Sequence, residues 1–115
     1  MFHKIIIVGR LGADPEQKYT ADGKAVTSFS VAAENRKDET LWFRVSAWEK
    51  LAEVCGRYLK KGAKVLVEGT LKADENGSPR VFGRKDGTSG ASFEVVALSV
   101  KFLSGKDEPT DEVPF

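Results

Sequence analysis

Two tryptophans and an arginine, Trp42, Arg44 and Trp48, fall on alternate positions of the stretch Leu41-Trp42-Phe43-Arg44-Val45-Ser46-Ala47-Trp48. Read as a β-strand, the stretch sends alternate side chains to opposite faces. Leu41, Phe43, Val45 and Ala47 form an apolar row suited to a core. Trp42, Arg44, Ser46 and Trp48 form the other row, and a guanidinium between two indoles is costly to bury without partners. At roughly 3.3 Å per residue the two rings stand about 20 Å apart on one face. Flat rings flanking a cation suit a long, ring-bearing polyanion. Single-stranded nucleic acid has that character, because every base offers a π-face to an aromatic side chain. The competing reading is a strand packed on both faces, with Trp42 and Trp48 in a second small core.

Other chemistry finds little support. His3 is the single histidine and falls in or at the edge of the first strand, so a histidine-containing triad has no support beyond chance proximity. Cys55 has no partner cysteine for a disulfide or a thiolate metal site. Asp38-Glu39 and Asp74-Glu75 sit in polar stretches and read as solvated charges. Gly83-Arg84-Lys85-Asp86-Gly87-Thr88-Ser89-Gly90 is glycine-rich, yet it lacks the Walker spacing and opens no helix. A non-catalytic protein without cofactor or metal is expected.

The elements that must position the row follow from hydrophobic periodicity. Residues 3–11 read as a β-branched strand, with Gly9 marking a bulge or sharp bend. Asp14-Pro15 ends it, and Asp22-Gly23 reads as a hairpin turn. Residues 25–33 form a second strand, with Thr27, Phe29, Val31 and Ala33 opposite the smaller Val26, Ser28, Ser30 and Ala32. After a charged connection, Glu34 to Thr40, comes the tryptophan-bearing third strand. The period then changes from 2 to 3.6: Leu51, Val54, Cys55, Tyr58 and Leu59 mark a helix over residues 49–59, stopped near Gly62. Residues 63–71 are a fourth strand. Residues 72–92 are a polar loop in which Val81-Phe82 can pair as a hairpin, and residues 93–102 are the last strand. Five strands with one helix between the third and fourth predict an all-β OB-fold, a Greek-key barrel. Folds of this kind bind oligonucleotides on strands two and three and on the neighbouring loops.

Composition fits a single domain of 115 residues with 41% hydrophobic and 30% charged residues, enough to bury a core. The longest aliphatic run, Ile5-Ile6-Ile7-Val8, is too short to span a bilayer. The chain opens without a charged leader and apolar segment, so a cytoplasmic location is expected. Net charge is +1 but unevenly placed. Without residues 105–115 the chain has 17 basic and 13 acidic residues, a surplus of +4. A mildly basic body, residues 1–104, thus precedes an acidic tail, residues 105–115, of a composition that favours disorder.

Three blocks of the chain resemble one family. Lys4-Ile5-Ile6-Ile7-Val8-Gly9-Arg10-Leu11-Gly12-Ala13-Asp14-Pro15-Glu16 with Tyr19-Thr20 is similar to the opening of bacterial single-stranded DNA-binding proteins. Trp42-Phe43-Arg44-Val45, Trp48-Glu49-Lys50-Leu51-Ala52-Glu53 and Tyr58-Leu59-Lys60-Lys61-Gly62 resemble that family's centre, and Val67-Glu68-Gly69-Thr70-Leu71 continues the match. The resemblance implies base stacking at Trp42 and Trp48, and a DNA path lined by Arg44, Lys50, Lys61 and Lys72. Arg10 and Arg36 join the expected contacts. Each lysine also has a plainer reading as a solvated or helix-terminal charge. The resemblance further implies coating of single strands during replication, recombination and repair, a homotetramer, and a place on the bacterial nucleoid. The alternative is a related OB-fold component of a primosome that holds a protein on the same face.

There are departures. The family often has an aromatic after strand two, where Arg36-Lys37-Asp38 stands, and a tryptophan early in the loop before the last strand, where Asp74-Glu75-Asn76 stands. Phe82 is the candidate substitute. Phe43 replaces a frequent histidine and is expected to face inward or toward a subunit partner. With fewer rings, binding should lean on charge, so log affinity should fall more steeply with log salt than in an aromatic-rich relative. Finally, Asp111-Glu112-Val113-Pro114-Phe115 resembles the acidic tip by which the family recruits replication and repair enzymes. Its spacer is short, and residues 104–110 span roughly 25 Å when extended.

Overall fold

The computed structural model describes residues 1–103. In chain order these form β1 (Ile5–Leu11), β2 (Glu16–Tyr19), β3 (Ala25–Glu34), β4 (Thr40–Trp48), α1 (Glu49–Tyr58), β5 (Lys64–Leu71), β6 (Val81–Gly83), β7 (Ser89–Ala91) and β8 (Phe93–Phe102). Five of them close a barrel in the order β1, β5, β8, β4, β3 and back to β1. Only β4 and β8 run parallel; the other barrel neighbours are antiparallel. The helix lies between the third and fourth barrel strands, so the architecture is the expected OB-fold.

Closure depends on β1 serving two partners. Its residues Ile5 to Arg10 pair with β5, while Arg10 and Leu11 pair with Ala32 and Val31 of β3. The switch brings backbones unusually close at Gly9, where a Cβ would sit 2.2 Å from the Ala32 carbonyl oxygen. A second approach of this kind occurs at Gly69, beside the register shift between β5 and β8, with the Val96 carbonyl oxygen again at 2.2 Å. Glycine is the residue that permits such contacts.

The core comes from the alternation seen in the sequence. Phe29 and Val31 of β3, Phe43, Val45 and Ala47 of β4, Val65 and Val67 of β5, and Val95 of β8 are all buried. The helix adds Ala52 and Cys55, and burial pushes the Cys55 thiol up to about 11. A thiol so raised stays protonated and unreactive at neutral pH. Among the described residues Thr27 is the one buried polar side chain, and its hydroxyl donates to the Ala52 carbonyl at 2.6 Å. That bond fastens the helix to β3.

Three details depart from the expected elements. A short edge strand, β2, pairs with β3 from Glu16↔Ser28 to Tyr19↔Ala25. It has no apolar period because all four residues are exposed, but Gln17 rests on the helix where Gly56 has no side chain. The first strand begins at Ile5, which leaves His3 outside it, accepting the Leu71 amide at Nε2 over 2.9 Å. The helix ends at Tyr58, one residue short of the expected 49–59 span, because Leu59 turns extended and carries its side chain into the core. Gly62 instead takes φ +88° in the following turn. By contrast, β6 and β7 pair as the anticipated hairpin around Phe82.

Candidate nucleic-acid interface

The outer surface of β3 and β4 is built from cross-strand rows. Ala32 stands opposite Trp42, Ser30 opposite Arg44, Ser28 opposite Ser46, and Val26 opposite Trp48. Small side chains on β3 thus form a low floor beside the tall residues of β4. Trp42 is 53% exposed and Trp48 40%, so the row faces solvent and the alternative of a second core fails. Phe43, on the opposite side of the strand, is buried against Phe93 with ring centroids 5.7 Å apart. Its inward placement is therefore settled.

Each row extends onto neighbouring strands. Arg10 pairs with Ala32, which places Arg10, Ala32 and Trp42 in one line. Arg44 continues to Glu94 of β8, and Lys72 donates its amide to the Glu94 carbonyl at 2.7 Å. Arg44 and Lys72 thereby flank the acidic Glu94. The far side holds a second acid: the Glu16 carboxyl lies below the usual carboxylate range, chiefly through the hydrogen bond and charge of Lys18 and less through the Arg44 guanidinium. Arg44 is thus a cation set among carboxylates in a groove floored by serines. A cleft of about 340 Å³ opens here, lined by Ser30, Trp42, Arg44 and Ser92.

Trp42 owes its position to a residue that the sequence reading passed over. A Cβ on Gly12 would lie 2.5 Å from the indole Cζ3, so the ring rests directly on that backbone. Gly12 also donates its amide to the Ser30 carbonyl at 3.1 Å, anchoring the loop to the groove floor. The expected result of Gly12→Leu is a displaced Trp42 with little loss of stability. Oligonucleotide affinity should fall roughly five- to 150-fold, the worth of one stacked base, while the melting temperature moves by a few degrees.

The other expected residues fall into three groups. Arg10 and Lys61 come together around the turn that follows the helix: Arg10 Nη1 donates to the Gly62 carbonyl at 3.0 Å, and the Lys61 amide donates to Asp14 Oδ1 at 2.8 Å. Lys50 stands exposed on the helix two residues beyond Trp48, next to that end of the row. The strand passes straight into the helix there, with Glu49 at φ +55°. Arg36 is not brought into the rows. It lies exposed in the β3–β4 turn, its carbonyl accepting the Glu39 amide at 2.9 Å.

Phe82 belongs to the β6–β7 hairpin, where the guanidinium carbons of Arg80 and Arg84 lie 5.8 and 5.7 Å from its ring centroid. Arg80 also reaches Glu94 Oε2 at 3.4 Å, which ties the hairpin to the row holding Arg44. The two arginines were not among the expected contacts. Their spacing was the available signal, because Arg80, Phe82 and Arg84 alternate as one face of a strand. Among the described residues no group of three or more histidines, cysteines or carboxylates could hold a metal ion. No helix among them is long and apolar enough to cross a membrane.

Comparison with known proteins follows the same lines. The sequence profile of the single-strand binding protein family matches residues 2–103. A single-stranded DNA-binding protein of Neisseria meningitidis is 36% identical over 121 residues, covering 98% of this chain and 66% of the relative. Single-stranded DNA-binding protein 1 of Chlorobaculum tepidum is 35% identical, covering 91% and 67% respectively. One from Xanthomonas campestris is 38% identical, covering 92% and 63%. The chain spans about two thirds or less of the length of these relatives.

Proposed function

The chain belongs to the single-strand binding protein family, and from that premise we infer that it binds single-stranded DNA without strong sequence preference and without catalysis. The observation that carries the reading is the solvent-facing row of Trp42, Arg44 and Trp48 over a floor of serines and alanine. Indoles stack on any base, and cations neutralise any phosphate, so base identity is barely read. Arg44, Lys72, Arg10 and Lys61 supply charge along the path, Lys50 extends it past Trp48, and Arg36 meets the strand beyond Trp42. Phe82, held between two arginines, takes the place of the missing loop aromatic. Titration with oligo-dT should quench tryptophan fluorescence to saturation at a defined nucleotide count. An unchanged signal would overturn the reading.

Coating of exposed strands in replication, recombination and repair follows from such binding. A barrel of this size covers few nucleotides, and a homotetramer would wrap a longer strand. Exposed Ile6, Leu71, Phe93 and Leu98 offer apolar surface for association. Sedimentation of the DNA-free protein tests the assembly.

The acidic tip, Asp111, Glu112, Val113, Pro114 and Phe115, lies outside the described residues. Its acids suit a basic patch on a partner enzyme, and the Phe115 ring suits an apolar pocket. The short spacer keeps the tip near the barrel, where it competes with DNA for the same cations. Removal of residues 107–115 should abolish recruitment of replication and repair enzymes and leave oligo-dT affinity equal or slightly higher. Weaker DNA binding after the deletion would refute the competition.

A further inference from the structure

The solvent-facing aromatic surface of this protein does not end at Trp48. Tyr58, at the last position of α1, is 61% exposed, and Phe102, at the last position of β8, is 41% exposed. Their ring centroids lie 6.3 Å apart, and the Arg57 guanidinium carbon is 6.0 Å from the Tyr58 centroid. Two exposed rings beside a cation repeat, at the other end of the helix, the combination found at Trp42 and Trp48. Neither ring is needed to fill the barrel, whose core is made by other residues.

The helix connects the two places. Trp48 is its N-cap residue, and Lys50, Val54 and Tyr58 follow at four-residue spacing, which sets them on one face. Lys50 is exposed, Val54 is 36% exposed, and the ten residues of α1 extend about 15 Å. Charge favours an anion along this route. Between residues 54 and 67 the sequence has Arg57, Lys60, Lys61 and Lys64 and no carboxylate. Glu49 and Glu53 lie in the first half of the helix, and Asp14 is engaged with the Lys61 amide.

Resting on the reading of single-stranded DNA as the ligand, we propose that Tyr58 and Phe102 form a second stacking ledge, reached from Trp48 along the Lys50–Val54–Tyr58 face of the helix. A strand leaving Trp48 passes its phosphates by Lys50 and then Arg57, Lys60 and Lys61, and lays a base on the Tyr58–Phe102 pair. A protein partner fits the same surface less well. Aromatic side chains bury up to about 250 Å² each, so two rings and a valine fall short of the roughly 800 Å² per partner of a stable interface. One nucleobase, by contrast, is well matched by two rings.

Length of DNA separates the ledge from the main groove. Full-length protein and its Tyr58→Ala and Tyr58→Phe variants are titrated with a dT oligomer that reaches only from Trp42 to Trp48, and with a series of longer ones. Tyr58→Ala should bind the short oligomer within twofold of the unmodified protein and the longer ones roughly five- to 150-fold more weakly, the range for one lost stack. Tyr58→Phe, which keeps a ring, should match the unmodified protein at every length. Equal affinities of Tyr58→Ala and the unmodified protein for long oligomers would overturn the ledge. A changed sedimentation coefficient of DNA-free Tyr58→Ala would also overturn it, because the surface would then be a contact between copies. If the unmodified protein fails to bind even the short oligomer, the underlying reading falls first.

Discussion

Trp42→Ala and Trp48→Ala together should weaken oligo-dT binding by about 2–6 kcal/mol, roughly 30- to 20,000-fold in Kd. Each indole stacks one base, worth about 1–3 kcal/mol. The two lie about 20 Å apart at strand spacing, far enough for their effects to add. Stability should barely move, because both rings are half open to solvent and neither belongs to the buried cluster. The double variant has no tryptophan left, so binding must be followed by anisotropy of a labelled oligomer. Single variants keep one reporter each and show which ring the strand reaches first. A double variant that binds within a few-fold of the unmodified protein would shift the energy onto Arg44 and its neighbouring lysines. The salt dependence would then become the principal observable.

The order of elements was readable because hydrophobic period changes sharply along this chain. Strict alternation in β3 and β4 assigned Phe29, Val31, Phe43 and Val45 to the interior, and each is buried. The same alternation put Trp42, Arg44 and Trp48 on the outside. What could not be read depends on register rather than on period. β2 is Glu-Gln-Lys-Tyr, entirely exposed, and is held by backbone pairing to β3 and by Gln17 on Gly56. No side-chain pattern announces such a strand. The neighbours of Arg44 were hidden for the same reason. Glu94 and Glu16 are distant in sequence and meet it only after three strands have taken their places. Gly12 was visible as part of a motif, but its contact with Trp42 requires the barrel to have closed.

Closure itself is the second point at which a single residue carries a large effect. Gly9→Ala should cost more than about 3 kcal/mol, beyond the usual range for overpacking. The reason is the nature of the obstacle. The added Cβ would meet the Ala32 carbonyl oxygen at 2.2 Å and Val31 Cγ1 at 2.8 Å. A side chain can rotate away, but the carbonyl belongs to β3 and moves only if the strand does. Moving it would open the two-residue pairing, Arg10↔Ala32 and Leu11↔Val31, that joins β1 to β3. Gly69→Ala meets the same obstacle at Val96 and should behave alike. Gly83→Ala is the control, since a Cβ there has no atom within 4 Å and its φ is not left-handed; its effect should stay within about 0.5 kcal/mol. Urea unfolding monitored by circular dichroism distinguishes the three. A Gly9→Ala protein as stable as Gly83→Ala would mean that β1 and β3 part without cost. Because Arg10, Ala32 and Trp42 form one row, opening this seam also separates a predicted phosphate contact from the indole beside it. Oligo-dT affinity in Gly9→Ala should therefore fall even at temperatures where the protein remains folded.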